Sequence, residues 1–143
     1  MKKKNAFTLI ELLAVIVLIA LLAVIIIPKI QSTVKDAGKS TDEASANGLL
    51  RAATNYFMEE KAQNNEFNGC IYMYTNSSNT CEGMKYTGKN PDSGKLEIKP
   101  NGEVVMSVQF GKYCYTKGLN ADNITVADYE ASSCGANSSV FSN

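Results

Sequence analysis

Residues 7–27 read FTLIELLAVIVLIALLAVIII, an apolar run interrupted by a single charge, Glu11. Built as a helix at about 1.5 Å per residue, it would be roughly 32 Å long, which matches the hydrocarbon core of a bilayer. Past Pro28 the pattern changes. Residues 31–62 read as a second, amphipathic half of the same helix, with Pro28 marking a kink. Val34, Ala37, Thr41, Ala44 and Gly48 follow a three-or-four spacing, and Leu49, Ala53, Tyr56 and Phe57 continue an apolar face. Weak helix formers in residues 36–43 make this half dependent on packing, and the alternative is a plain linker between an anchor and a domain. Gln63-Asn64-Asn65 suggests the helix end.

Beyond that point the period shortens to two. Residues 70–74 look strand-like, and residues 75–80, rich in Asn, Ser and Thr, look like an exposed loop. The clearest hairpin follows: Lys95-Leu96-Glu97-Ile98-Lys99 alternates, Pro100-Asn101-Gly102 turns, and residues 104–110 return. Gly111 and Lys112 then separate a further strand at residues 113–116. A sheet of three or four antiparallel strands on the C-terminal half of the helix would bury one face of each element. The expected class is therefore α+β: a long N-terminal helix, membrane-spanning in its first half, packed by its second half on a small antiparallel sheet.

Charge gives the long run a direction. Lys2, Lys3 and Lys4 precede it and only Lys29 lies close behind. Positive charge is retained on the cytoplasmic side, so the N-terminus stays inside and the rest is exported. An ordinary secretory signal has an apolar region of roughly 7 to 15 residues and an A-x-A-like cleavage site, and here the run is longer and Ala20-Leu21-Leu22-Ala23 matches poorly. Ionisable groups inside spanning segments are costly and usually functional. Glu11 lies about 6 Å from the cytoplasmic end by helix rise, and its plainest reading is a carboxylate complementing the positive end of the helix dipole.

The neighbourhood supplies more. Lys2-Lys3-Lys4-Asn5-Ala6, then Phe7-Thr8-Leu9-Ile10-Glu11-Leu12-Leu13, then Pro28 at the far end, together resemble the leader and helix of a type IV pilin precursor over roughly residues 2–30. The resemblance implies a leader, residues 1–6, cut between Ala6 and Phe7 by a membrane prepilin peptidase, with N-methylation of the new amine at Phe7. It also implies that residues 7–28 form the transmembrane and assembly helix, residues 29–62 its amphipathic continuation, and residues 63–143 a β-rich head. Phe7, Glu11 and Pro28 are then the assembly residues, and Glu11 of one copy meets the Phe7 amine of another once the helices leave the membrane to form a filament core. A buried charge of that kind must be paired. Two departures stand out: the family usually has Gly where this chain has Ala6, and many members have Gly where it has Ala20.

Past the span about 115 residues remain, enough for one small domain. They carry 11 Lys or Arg against 13 Asp or Glu, a balance of −2, so nucleic acid is not indicated as a partner. Cys70, Cys81, Cys114 and Cys134 all fall on the exported side, and an even count there suggests disulfides. Three pairings are open. Nearest-neighbour loops close most easily, which favours Cys70 with Cys81 and Cys114 with Cys134. The second of these would resemble the disulfide-bounded C-terminal region of many pilins. With no His and no C-x-x-C spacing, no metal site is expected, and no cofactor is implied. No catalytic residues stand out: there is no His-based triad or phosphate loop, and Glu59-Glu60 reads as a solvated helix face. Asn76-Ser77-Ser78, Asn123-Ile124-Thr125 and Asn137-Ser138-Ser139 match the glycosylation sequon. Tyr72, Tyr74, Tyr86, Tyr113 and Tyr115 read either as sheet packing or as surface anchors.

The expected function is a structural subunit of a type IV pilus, not an enzyme. It would sit single-pass in the cytoplasmic or inner membrane and later in an extracellular filament. The implied partners are further copies of the chain in a helical filament, the peptidase, and the assembly platform with its ATPase. The alternatives are a pseudopilin or minor pilin of a secretion or DNA-uptake system, and a membrane-anchored binding domain that never polymerises.

Overall fold

The computed structural model describes residues 8–63, 66–74 and 79–142, with backbone alone at residues 28, 31 and 32. The leader, Ala6, Phe7, the Asn76 sequon, Asn64-Asn65 and the Pro28 side chain lie outside the described residues. The chain forms two compact units, the first ending at Gly38 and the second beginning at Lys39.

One helix, α1, runs Leu9–Gln63. Within the first unit it buries almost nothing. Leu9, Ile10, Leu12, Leu13, Ile16, Leu18 and Ile19 are all exposed, and Leu9–Ile27 is long and apolar enough to cross a membrane. So much apolar surface far exceeds what a soluble monomer leaves uncovered. The helix backbone passes through position 28 with no break, although a proline there has no N–H for the carbonyl four residues earlier.

In the second unit the helix carries a buried stripe, Asp42, Ser45, Ala46, Leu49 and Ala53, spaced three and four apart. This corrects the expected face. Thr41 and Ala44 are exposed, while Asp42 and Ser45 are buried. The inward face tolerates these polar residues because each is satisfied. Lys89 Nζ lies 2.7 Å from Asp42 Oδ1, and Ser45 Oγ donates to the Thr41 carbonyl at 3.0 Å.

The stripe packs on an antiparallel meander with strand order β1-β2-β3-β4-β5. The strands are β1 Cys70–Met73, β2 Ser93–Ile98, β3 Val104–Phe110, β4 Tyr113–Lys117 and β5 Thr125–Asp128. Five strands replace the three or four expected. β5 escaped sequence reading because it is short and mostly exposed, so little alternation marks it. Leu96, Ile98, Met106, Val108, Phe110 and Tyr115 meet Ala46, Leu49 and Ala53 in a single core.

β2 alternates between buried and half-buried, as one covered face requires. β3 does not, because Val105 and Ser107 on its other face are buried too. The cover is the C-terminal segment, which forms two 3-10 turns, Gly135–Asn137 and Ser139–Phe141, beside β2 and β3. Between β2 and β3 the turn closes with Gly102 N–H donating to the Lys99 carbonyl at 2.8 Å and Lys99 N–H to the Glu103 carbonyl at 2.8 Å.

Candidate functional site

The exposed apolar helix and the turn that begins it form the surface with the clearest chemistry. Thr8 stands before the first helical residue, and Glu11 is the third residue inside. Thr8 N–H donates to Glu11 Oε2 at 2.8 Å, and Thr8 Oγ1 donates to the same oxygen at 2.7 Å. In return Glu11 N–H points to Thr8 Oγ1 at 3.4 Å. This is a capping box, in which side chains at the cap and third positions satisfy backbone donors that the first turn leaves without partners. Among the described residues Oε1 of Glu11 takes no hydrogen bond. The T-x-x-E spacing was legible in the sequence. A helix dipole accounts for an acid at this end, and the pairing with Thr8 adds the hydrogen bonds that fix its position.

Of the residues singled out for assembly, Glu11 is the one whose side chain is seen. It is fully exposed at the head of the apolar helix. Phe7 and Ala6 lie outside the described residues, so no Phe7–Glu11 geometry is defined within one copy.

The head is held shut at both ends by disulfides. Cys70 and Cys81 are bonded with Cα atoms 5.1 Å apart, and Cys114 and Cys134 with Cα atoms 5.9 Å apart. The first holds a return segment against the outer edge of β1. There Ile71 N–H donates to Thr80 Oγ1 at 2.7 Å, Thr80 N–H to the Ile71 carbonyl at 2.9 Å, and Met73 N–H to Asn79 Oδ1 at 2.7 Å. The second ties the C-terminal segment onto β4. Gly135 N–H donates to the buried Ser107 Oγ at 2.9 Å, and Lys95 Nζ stands 4.3 Å from the centre of the Phe141 ring.

The tyrosines are largely employed in packing. Tyr115 is wholly buried against Phe110, with ring centres 5.6 Å apart, and its hydroxyl donates to the Lys39 carbonyl at 3.2 Å. Burial, helped by the nearby Asp42 and Glu43 charges, pushes its pKa up to about 12. Tyr86 lies across Gly48, its hydroxyl 2.8 Å from the Lys89 carbonyl and 3.2 Å from that of Ser45. Burial raises its pKa as well. Tyr72 and Tyr74 pack on each other at 4.9 Å. Lys39 Nζ lies 5.5 Å from the centre of the Tyr113 ring.

Among the described residues, no three His, Cys, Asp or Glu side chains gather as metal ligands would. Asn123 and Asn137 are exposed, and the hydroxyl of Thr125 is engaged with Thr116 at 2.7 Å.

Residues 1–27 match the family model of the prokaryotic N-terminal methylation motif. That motif is the type IV prepilin-like signature, and it supports a type IV pilin-like or pseudopilin protein of structural type. Its span takes in Lys2, Lys3 and Lys4, Thr8, Glu11 and the whole apolar run, and stops short of the second unit. No curated protein and no solved structure matches the chain. The long apolar helix followed by a five-stranded antiparallel sheet is a pilin-like layout.

Proposed function

We propose that this chain is a filament subunit of a type IV pilus. Its helix first anchors the precursor in the membrane and then packs with the helices of other copies. One observation carries the reading: a helix within the prepilin signature that directs its apolar side chains outward and bears a single acid in its first turn. Such a surface needs either lipid or like helices around it. The signature implies prepilin peptidase processing and entry into a pilus-assembly route. In this reading the cut falls between Ala6 and Phe7, Phe7 is N-methylated, and residues 7–28 become the filament core.

The chemistry of the first turn suits that role. Cleavage creates a cationic amine at Phe7, the residue before the cap. Within a single helix Thr8 already orients the Glu11 carboxylate through Oε2, which leaves Oε1 for a cation arriving from another copy. Transfer from membrane to filament places this charge in an apolar interior, where a missing or misplaced amine would leave it unpaired. The pair therefore selects register. Pro28 removes one backbone hydrogen bond where the apolar run ends, a place for the helix to bend as copies pack. The disulfide-closed head becomes the outer surface. The peptidase, the assembly ATPase and the membrane platform are the partners this route requires.

Sequencing the mature N-terminus tests the proposal. The expected product begins at Phe7 and carries a methyl group on its amine, and the purified material is filamentous. A mature chain that retains Lys2, Lys3 and Lys4 would instead identify a tethered binding domain. Correct processing without filaments of this chain would identify a pseudopilin or minor subunit.

A further inference from the structure

Asn-Gly occurs three times, at Asn47-Gly48, Asn68-Gly69 and Asn101-Gly102. The structure treats the three steps differently. We infer that Asn68 is a site of spontaneous covalent modification, converting to aspartate and isoaspartate through attack by the backbone nitrogen of Gly69, while the other two are held back. The chemistry needs a side-chain amide free to turn and a following N–H that is neither shielded nor hydrogen-bonded. Glycine provides the lack of shielding because it has no Cβ.

At Asn47 both requirements fail. Gly48 lies inside α1, where each N–H is bonded to the carbonyl four residues earlier, and Asn47 Nδ2 donates to the Glu43 carbonyl at 3.1 Å. At Asn101 both fail again: Gly102 N–H donates to the Lys99 carbonyl at 2.8 Å, and Asn101 Oδ1 accepts from Glu103 N–H at 3.0 Å.

Asn68 is exposed, and among the described residues no hydrogen bond holds its amide. The N–H of Gly69 is left over for a topological reason. β1 pairs with β2 in the register Cys70↔Ile98, and Tyr74 N–H donates to the Gly94 carbonyl at 3.0 Å. The alternation of an antiparallel ladder therefore turns Cys70, Tyr72 and Tyr74 toward β2, and Ile71 and Met73 outward. The return segment supplies Thr80 to Ile71 and Asn79 to Met73. It does not extend to Gly69, whose N–H has no acceptor among the described residues.

The reaction balances within the chain and one water. The deprotonated nitrogen of Gly69 attacks Cγ of Asn68, the N–Cγ bond forms as the Cγ–Nδ2 bond breaks, and ammonia leaves with the proton. The five-membered imide then adds water at either carbonyl and opens to aspartate or isoaspartate. No electrons are exchanged. Both products place a new carboxylate in the cleft that Asn68 shares with Thr80, Glu97 and Lys99. Isoaspartate also adds a methylene to the backbone beside Gly69. That residue has φ of +85°, and even a Cβ on it would come within 2.8 Å of the Ile98 carbonyl oxygen. Conversion thus loosens the start of β1 next to the Cys70–Cys81 bond.

The test is peptide mapping of the intact full-length chain in detergent after incubation in mildly alkaline buffer, with amide and acid forms resolved at each Asn-Gly step. Asn68 should convert about tenfold or more faster than Asn47 and Asn101, whose hydrogen bonds require local opening first. In the reduced, denatured chain the three rates should converge. Asn68→Ser should remove the modified species while leaving the other two steps unchanged. An Asn68 that stays amidated, or that converts no faster than Asn101 in the folded chain, overturns the inference.

Discussion

Lys89 reaches from the loop between β1 and β2 to the helix, its Nζ 2.7 Å from Asp42 Oδ1. Asp42 is only 8% exposed, so this contact lets a carboxylate occupy the inward face of α1 beside Ser45, Ala46 and Leu49. Removing the cation should hurt more than removing the pair. Because the Lys89 side chain is half exposed, Lys89→Ala should cost about 1 to 2 kcal/mol, below the range for fully buried pairs. Asp42→Asn should recover part of that loss in the Lys89→Ala background. A double-mutant cycle by denaturant unfolding of the head measures the coupling, and additive costs would remove Lys89 as the reason Asp42 is tolerated.

Gly102 closes the β2–β3 turn with φ of +86°, and a Cβ there would overlap the edge of the Phe57 ring around Cε1. Gly102→Ala therefore meets both backbone strain and overlap, and should destabilise the head by about 1 to 3 kcal/mol. In the Phe57→Ala background the overlap is gone and only the backbone part should remain. Thermal unfolding of the two single variants, the double variant and the unsubstituted protein separates the two contributions.

Thr8 and Glu11 allow the cap to be distinguished from the charge. Gln can serve at the third position of a capping box, so Glu11→Gln should keep the first turn intact while removing the carboxylate. On the proposed function that variant inserts in the membrane and is processed, yet forms few or no filaments. Thr8→Ala loses the cap and retains the charge, and should assemble with a modest reduction in yield. Filament counts by electron microscopy, normalised to processed subunit, decide between them. Normal filaments from Glu11→Gln would dismiss the charge as the register device.

Tyr115 makes the head sensitive to alkali. Its hydroxyl stays protonated in the fold up to about 12, whereas the ordinary value is 10.0. Between those values the unfolded chain loses a proton that the folded chain keeps, so stability is fully present below 10 and falls as pH rises toward 12. Tyr115→Phe should make that decline shallower, with the buried Tyr74 hydroxyl keeping its own share, at the cost of the bond to the Lys39 carbonyl at neutral pH. Unfolding free energy against pH for the two proteins provides the comparison. Parallel curves above 10 would place the alkaline loss elsewhere.

The two disulfides should fail differently. Cys134→Ser frees the segment that covers Val105 and Ser107, so the second face of β3 becomes wet and a loss of about 2 to 4 kcal/mol is expected. Amide exchange should rise at Gly135 and along the outer face of β3, with the helix side of the core protected. Cys81→Ser should instead raise exchange at Ile71 and Met73, where Thr80 and Asn79 accept hydrogen bonds. Uniform exchange changes in both variants would contradict the separate roles.

Several features were legible along the chain because local physics alone produces them. The apolar run, the T-x-x-E cap, the Pro-Asn-Gly turn and the alternation of residues 95–99 each report on neighbours a few positions away. A short range also limits them. The spacing of Val34, Thr41 and Ala44 suggested an apolar helix face, yet the inward stripe runs through Asp42 and Ser45. Lys89, 47 residues further on, is what makes that stripe acceptable.

Local side-chain patterning sets where the chain meets oil and where it meets water: one long apolar helix, one amphipathic continuation, a set of short strands, and an acid placed at the helix start. Those outcomes follow from side-chain transfer and backbone geometry over one or two turns. Tertiary structure decided which helix face is covered, why β3 is buried on both sides, that Thr125–Asp128 is a fifth strand, and which Asn-Gly step is left unprotected. Each of these depends on a partner many residues away, and a local pattern carries no record of the partner that will cover it.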